Sequence, residues 1–469
     1  MSANFNQIHL PSRSRFKLSY RQQVVAALVV LLILDYADRG LIGGLGPTLE
    51  RSFGMNDAQL GYLSSASMVI SGLATLPLGI VIDRAARLRL LMLCLIVWTV
   101  ALTLTGAATS FGVLVGAQVM VGVVGAATGP AVPSLVGDLT PIAERGDILG
   151  LVNGGPVAGT GVGIVLAAAV TAFASFRWCF WLLAIGAALL AIVFSRLREP
   201  ARTGGDGLAD PSGEDQLSAT VPSSARMIQL LHERRVEPDA RAVLDVDALD
   251  MSLWEIAKYV VRVRTDLIVL ICRAIGDYFF TGVASFGVVF ATQQYGVSER
   301  YADGALIIIG LGAMVGFMAG GRTSDVLLMH GHLNSRVWVA IAGYLLAPVC
   351  LLPALLIHSL LDALPLLALS GFFLAATAPA LDAIRIDVIV PRARGRAESI
   401  REVLRTVSEG AGPLLFGLIS VSFGTAGFTG LQIAFISGLP VVFIAGLVLA
   451  LRTYQPDVVA ALVSVEKRS

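Results

Sequence analysis

Ionisable side chains stand inside long apolar stretches of this sequence. The first stretch contains Asp35, Asp38 and Arg39, and a later one contains Arg273 and Asp277. Spacings of three and four residues put such groups on one face of a helix, so that Asp35 can pair with Arg39 and Arg273 with Asp277. Charges at membrane depth cost at least ~2.5 kcal/mol each, so they usually face a cavity or a partner. These residues are therefore candidates for binding a proton or a charged ligand.

Two apolar stretches nearer the C-terminus contain further charges. They are Asp382, Arg385 and Asp387 in one stretch, and Arg401, Glu402, Arg405 and Glu409 in the next. We place Asp382 and Arg385 in a polar cavity with the first group, together with Tyr36, Tyr278 and Gln118. For Asp387, Arg401 and Glu402 we expect ion pairs near helix ends, where long side chains reach water. A set of fixed ion pairs that only hold helices in register is the alternative for every charge in these stretches.

The composition explains why these positions are unusual. Hydrophobic residues make up 56% of the chain and charged residues 14%, against about 25% charged in soluble domains. The net charge of +1 argues against a nucleic-acid-binding surface, which needs clustered basic residues. The four cysteines are isolated, and we find no nucleophile with a nearby base and no metal-ligand spacing. We therefore expect a membrane protein that is not an enzyme and that uses no metal or cofactor.

Twelve apolar stretches are each long enough to cross a bilayer, which takes about 20 residues. They lie near residues 22–46, 58–82, 88–108, 112–137, 147–172, 177–196, 265–291, 303–321, 336–358, 364–388, 398–422 and 427–451. The fifth stretch contains Gly159 and Gly163, a spacing typical of close helix packing. The sequence thus predicts an all-α membrane protein with twelve transmembrane helices.

Basic residues indicate the orientation of these helices. With the N-terminus in the cytoplasm, 26 of the 34 Lys and Arg residues fall in cytoplasmic segments. We predict a multi-pass protein of the cell membrane with both termini in the cytoplasm. The predicted parts are a segment 1–21, a six-helix bundle 22–196, a linker 197–264, a second six-helix bundle 265–452 and a tail 453–469. Within the linker, residues 252–264 have the pattern of an amphipathic helix that lies on the membrane surface.

The two bundles repeat each other. The matches are Asp35-Tyr36 with Asp277-Tyr278 and Gly79/Asp83 with Gly321/Asp325, each 242 residues apart, and then Asp138 with Asp387, 249 residues apart. Several matches in order at nearly one offset indicate duplicated halves. Since repeat mates occupy equivalent places, we expect Asp35 and Asp277 to face each other across the interface between the halves.

Between the second and third stretches the chain reads Gly79-Ile-Val-Ile-Asp83-Arg84 and continues with basic residues. This resembles the loop signature of the major facilitator superfamily. That family has two parallel six-helix repeats, with the substrate site near the midplane between them. The resemblance implies that Asp83 and Arg84 latch a cytoplasmic gate. The other gate candidates are Gly79, Asp138, Arg145, Gly321 and Asp325.

The first stretch, Leu34-Asp35-Tyr36-Ala37-Asp38-Arg39, resembles the Leu-Asn-Tyr-x-Asp-Arg of Spinster-like transporters. The resemblance covers about the first 200 residues. It implies transport of a lysophospholipid- or sphingolipid-like amphiphile, with Asp38 as proton carrier and Arg39 as its partner. This chain has Gln118 and Gly125 where the family has an Arg and a Glu. The substitutions favour a second possibility, in which Asp35 and the Arg273/Asp277 pair take over the coupling.

The leading hypothesis is therefore a secondary active transporter that works by alternating access. We expect a monomer whose partners are an amphiphilic small molecule, protons and the lipid bilayer, with no nucleic acid. A proton-coupled multidrug efflux pump is the alternative within transport, and a transport-inactive membrane sensor is the alternative of another class.

Overall fold

Long helices make up most of the chain in a computed structural model. It describes residues 20–84, 86–139, 142–199, 229–231, 233–234, 236–244, 251–390, 393–423, 429–451 and 454–466. The first half comprises α1 (Tyr20–Gly44), α2 (Gly46–Phe53), α3 (Asp57–Arg84), α4 (Arg87–Ala107), α5 (Phe111–Leu139), α6 (Ile142–Thr171) and α7 (Arg177–Arg196). The second half comprises α8 (Leu253–Arg262), α9 (Arg264–Tyr295), α10 (Glu299–Met329), α11 (Ser335–Leu356), α12 (Leu360–Val388), α13 (Arg394–Phe423), α14 (Gly430–Ala450) and α15 (Gln455–Glu466).

Twelve of the described helices have 20 residues or more. Ten of these are long and apolar enough to cross a membrane. The other two are α1, which carries Asp35, Asp38 and Arg39, and α3. Six long helices belong to each half, so the prediction of an all-α membrane protein built from two six-helix bundles is confirmed. The first predicted stretch continues past α1 into the short α2, whose first turn contains Pro47.

Glycines bring α1 and α6 into backbone contact. A Cβ atom on Gly159 would lie 2.5 Å from the carbonyl oxygen of Ile33, and one on Gly163 would lie 2.2 Å from that of Ala37. These residues of α1 flank Asp35 and Asp38, so the close approach fixes the rotation of the helix that carries the acidic side chains. The packing predicted for Gly159 and Gly163 is therefore confirmed.

The two halves meet along a seam between α3 and α13 and at one end of the bundle. A Cβ on Gly417 would lie 2.4 Å from the carbonyl oxygen of Asp57, and the Ser420 hydroxyl donates to the Asp57 carboxylate. We call this the closed end. There the Thr48 hydroxyl donates to Glu299 Oε2 at 2.7 Å, which also joins one half to the other.

The helix predicted at residues 252–264 exists as α8, but its apolar face covers the protein. Ile256, Tyr259 and Val260 are buried, because α8 packs on α9 and α13. Trp254 is 69% exposed. The predicted amphipathic helix is therefore present with three of its apolar residues packed on protein, and its position at the membrane surface stays a prediction.

The seam generates a stability prediction. Gly61→Ala places a Cβ 2.4 Å from the carbonyl oxygen of Pro413 in α13, so α3 and α13 must separate. Gly116→Ala meets nothing within 4 Å and gains about 1 kcal/mol of helix propensity. In thermal unfolding of the detergent-solubilised protein we expect a lower midpoint for Gly61→Ala and an equal or higher one for Gly116→Ala. Equal midpoints for the two variants would contradict the close seam.

Candidate functional site

Arg39 joins the two halves inside the bundle. Its Nη1 donates to Glu409 Oε2 of α13 at 3.1 Å, and its Nη2 lies 3.7 Å from Asp35 Oδ2, one turn earlier in α1. The guanidinium also lies over the Tyr36 ring, with Cζ 4.4 Å from the ring centroid. Arg39 thus binds one carboxylate from each half, so its position depends on how the halves are arranged.

Arg405 makes the second link at the same level. Its Nη1 donates to the Tyr36 hydroxyl at 3.2 Å, and its guanidinium pairs with Glu402 and Glu409 on its own helix. Neither Arg405 nor Glu409 was among our sequence-based site residues. The sequence feature that could have indicated them is the spacing of charges along α13, where residues three and four apart share one face of the helix. Proximity to α1 could not be inferred from that spacing.

The charges of α13 form part of a continuous row of alternating sign. Arg401 pairs with Glu398 and lies 3.8 Å from Glu402 Oε2, while Arg385 Nη1 donates to Glu398 Oε2 at 3.0 Å. In order, the row consists of Asp266, Arg385, Glu398, Arg401, Glu402, Arg405, Glu409, Arg39 and Asp35. If one of these side chains moves, its neighbours in the row lose an ion-pair partner.

Asp38 stands beside this row without a hydrogen bond. Its side chain is fully buried, and neither carboxylate oxygen has a hydrogen-bonding partner. Gln118 of α5 is fully buried too and lies close enough to act on the carboxyl, yet its amide atoms also lack hydrogen bonds. A buried carboxylate that has lost its water without gaining a partner is strongly destabilised while it is charged.

The second half supplies its own ion pair at this level. Arg273 Nε lies 3.2 Å from Asp277 Oδ2, and Asp382 is close enough to Arg273 to interact electrostatically. Asp35 and Asp277 both interact with Glu409 and Arg405. Asp35 and Asp277, the residues matched by the repeat, therefore both lie near the charged side chains of α13 at the interface between the halves.

Tyr278 contributes an apolar contact instead of a polar one. Its ring packs edge-on against Phe416 of α13, with the centroids 5.6 Å apart. Arg385, which we had placed in the cavity, binds Asp266 Oδ1 through its Nε at 2.9 Å as well as Glu398. Arg385 therefore joins the far end of the charged row, near the start of α9, and its place in the substrate cavity stays a prediction.

The gate candidates are described only in the second half. Arg336 at the start of α11 lies 3.5 Å from Asp325 and pairs with Asp387, so it ties α10 and α12 together. Gly321 faces Pro379 of α12. For Gly79, Asp83, Arg84, Asp138 and Arg145 the structure describes the helix backbone alone, and the predictions for them lie outside the described side chains.

The closed end contains a second group of acidic residues that our sequence reasoning did not single out. Glu50 of α2 lies against Asp57, which also accepts a hydrogen bond from Ser420 of the other half. Burial and the neighbouring Asp57 raise the pKa of Glu50 from its ordinary 4.5 to about 8. Because Asp57 is also the acceptor for Ser420, the charge on this pair acts next to a contact between the halves.

Among the described residues no group of three or more His, Cys, Asp or Glu side chains is arranged to hold a metal ion. The geometry instead offers alternating cations and anions between two helical halves. The family model that describes the major facilitator superfamily matches residues 28–367.

The chain belongs to the major facilitator superfamily.

Transporters of this superfamily are found among the relatives of the chain. The D-galactonate transporter of Escherichia coli O6:H1 is 21% identical over 324 residues, which cover 66% of this chain and 68% of the relative. The probable galactarate/D-glucarate transporter GudP of Bacillus subtilis is 24% identical and covers 71% of each chain. The puromycin resistance protein pur8 of Streptomyces alboniger is 31% identical, over only 37% of this chain and 34% of the relative.

Solved structures share the major facilitator fold. A bacterial homologue of the human lysosomal transporter Spinster, in an inward-facing and unoccupied conformation, has a TM-score of 0.67 at 19% identity. The match covers 97% of this chain and 99% of the homologue. A D-xylose–proton symporter has the same TM-score at 14% identity, with 92% and 97% covered. The expected likeness to a Spinster protein is thus confirmed for the fold.

The charged row generates opposite predictions for two carboxylates. Glu409→Gln leaves Arg39 and Arg405 short of one anionic partner, so we expect a loss of about 3 kcal/mol of stability. At a pH at which Asp38 is ionised, Asp38→Asn removes a buried charge that makes no hydrogen bond and allows pairing with Gln118, so we expect a gain of about 1 kcal/mol there. Thermal unfolding in detergent measures both. A destabilised Asp38→Asn would contradict our description of Asp38.

The Glu50–Asp57 pair generates a pH prediction. Because the pKa of Glu50 is raised in the closed state, its contribution to closure is complete below pH 4.5 and is lost as the pH rises through about 8. We expect a Cys introduced at the buried position Leu45 to react faster with a water-soluble maleimide above pH 8.

The control for this pH prediction is the same Cys variant with Glu50→Gln. It reports the intrinsic pH dependence of the maleimide reaction, because Gln does not titrate. Identical pH profiles with and without the Glu50→Gln substitution would show that this carboxyl does not act on the closed end.

Proposed function

We propose that this superfamily member is a secondary active transporter that works by alternating access and couples to protons. The observation that carries the proposal is Asp38, a fully buried carboxylate without a hydrogen bond beside the ion pairs that join the halves. Ionisable groups inside a membrane bundle are rare because of their cost, and they commonly mark proton or substrate pathways. A proton on Asp38 removes that cost.

The same residue can link proton binding to the arrangement of the halves. When Asp38 is neutral, Arg39 is shared between Asp35 and Glu409. When Asp38 loses its proton, its carboxylate competes for Arg39, with which it interacts electrostatically. The competition weakens the pair between Arg39 and Glu409, which belongs to the contact between the halves. Proton release would therefore favour separation of α1 from α13.

For the substrate we propose an amphiphilic small molecule with a zwitterionic head, such as a lysophospholipid. The site between the halves offers cations and anions side by side, since Arg39 and Arg405 pair with Asp35 and Glu409, and Arg273 pairs with Asp277. Such a set can pair with both charges of one head group. The apolar residues that line the same helices suit a hydrocarbon tail.

We assign the closed end to the outer face of the cell membrane. The assignment uses the distribution of Lys and Arg, which favours cytoplasmic termini and so puts the α1–α2 junction outside. With the outer end closed, we take the described conformation to belong to the inward-facing part of the transport cycle.

A second candidate substrate is a small organic anion such as a sugar acid. The observation that favours it is the similarity to the D-galactonate transporter and to GudP, which extends over about two thirds of the chain or more. Planar guanidinium groups bind carboxylates through two parallel hydrogen bonds, so Arg39, Arg273 and Arg405 also suit such a ligand.

Flux into proteoliposomes tests these proposals. Purified protein is supplied with labelled lysophosphatidylcholine, D-galactonate or a cationic dye, with and without a pH gradient. We expect the unmodified protein to transport the lysolipid, and to do so faster with the pH gradient than without it. We expect the Asp38→Asn variant to transport the lysolipid at the same rate with and without the gradient. Flux of only D-galactonate or only the dye would overturn the amphiphile as substrate.

The matched control is Asp362→Asn, because Asp362 lies exposed in the first turn of α12 away from the site. We expect this variant to keep the pH response of the unmodified protein. A pH response that survives in Asp38→Asn would contradict the role of Asp38 in coupling. Absence of flux for every compound would contradict transport itself.

A further inference from the structure

A groove of about 440 Å³ lies outside the central site, along the seam between the halves. Helix α3 forms its floor through Tyr62, Ser65 and Val69. One wall is α5, with Val115 and Val119, and the other is Leu414 of α13. The volume falls within the range of about 300–1,000 Å³ that is typical of small-molecule sites. The groove is therefore lined by residues of both halves, as the site around Arg39 and Glu409 is.

The groove faces the hydrocarbon layer of the membrane. Tyr62 is 48% exposed and Val69 39% exposed. The halves are in contact at this depth, because Gly61 packs on Pro413 and Gly410 on Val69, so the exposed sides of these residues point away from the interface. The residues that surround the groove are apolar except for the hydroxyl groups of Tyr62 and Ser65. Such a surface suits a hydrocarbon chain and not a charged ligand.

Ser65 is a second, independent sign of a ligand. Its side chain is 3% exposed, and its hydroxyl makes no hydrogen bond. Thr75 of the same helix donates to the carbonyl four residues earlier, as hydroxyl groups in apolar helices commonly do. The hydroxyl oxygen itself is buried in this conformation, and a change of the Ser65 rotamer would offer it to a polar atom of a bound molecule, such as the ester carbonyl at the top of an acyl chain.

The groove ends next to the charged row. Val69 at its inner end contacts Gly410, where a Cβ would lie 3.0 Å from Val69 Cγ2. The residue before Gly410 is Glu409, which binds Arg39 on the other side of α13. Because Gly410 has no side chain, only the α13 backbone separates the hydrocarbon-facing groove from the ion pair that joins the halves.

We propose that this groove binds the acyl chain of a single-chain amphiphile taken directly from the bilayer. The proposal rests on the proposed function, because it assigns the tail of that substrate to the α3–α13 seam beside the charges that receive its head. Opening of the seam would then let the head group reach Arg39 and Glu409 while the tail stays in an apolar environment.

Photolabelling of the full-length protein in nanodiscs tests the proposal. The probe is lysophosphatidylcholine whose palmitoyl chain carries a diazirine, and labelled residues are identified by mass spectrometry. We expect labels on the α3 and α5 residues of the groove, displaced by unlabelled lysophosphatidylcholine. Unsaturable labelling spread over all lipid-facing helices would mean ordinary boundary lipid and would overturn the proposal.

Variants that fill the groove sharpen the test. Val115→Trp and Ser65→Leu occupy it from two sides, and we expect each to lower groove labelling about tenfold, since the buried chain contributes most of the affinity. Val100→Trp, at a 48% exposed position on α4 outside the groove, is the matched control and should label as the unmodified protein does. Unchanged labelling in either folded filling variant would contradict the groove.

Flux measured on the same preparations separates the two proposals. If the unmodified protein transports lysophosphatidylcholine but shows no saturable label in the groove, the groove proposal fails and the transport proposal stands. If the groove is labelled and displaced while no lysolipid is transported, the proposed substrate fails. In that case the groove remains a binding site for acyl chains.

Discussion

The ion pair between Arg39 and Glu409 is the interaction on which the rest of the structure depends. It joins the two halves through side chains that are mostly buried, and it adds to the partner that each group has on its own helix, Asp35 for Arg39 and Arg405 for Glu409. Around it, glycines of α6 fix the rotation of α1, and glycines of α3 and α13 allow those helices to meet. The charged side chains thus specify one arrangement of the halves. The glycines let the helices come close enough for these side chains to pair.

The same interaction explains how one scaffold could exchange two arrangements. Nine charges of alternating sign connect Asp35 in the first half with Asp266 in the second, so re-pairing can proceed between neighbours without leaving a charge isolated. Asp38 lies beside one end of this row and has no hydrogen bond of its own. Under our proposal a proton there selects which carboxylates hold Arg39, while the Glu50–Asp57 pair adds a separate sensitivity to pH at the closed end.

Much of the fold could be predicted from the sequence, because apolar length and repeated motifs report directly on membrane helices. The pairings of Arg39 with Asp35 and of Arg273 with Asp277 followed from helical spacing. The roles of Glu409 and Arg405 could not be predicted, since spacing along α13 does not say which helix that face meets. The pairing of Arg385 with Asp266 could not be predicted for the same reason. The packing of α8 on α9 and α13 could not be predicted either, because an amphipathic stripe fits a protein surface as well as a lipid surface.

The central claim is that the two halves move relative to each other around the charged row. Double electron–electron resonance tests it most directly, by measuring distances between pairs of spin labels. One pair is attached at the exposed positions Ser52 and Arg300, across the closed end. The other pair is attached at Arg196 and Met329, the last residues of α7 and α10, at the opposite end of the bundle. Our account predicts two populations in lipid, in which the first distance lengthens as the second shortens. It also predicts that Asp38→Asn shifts the balance toward the closed end. A single pair of distances, unchanged by pH, by lysolipid and by this substitution, would contradict the account.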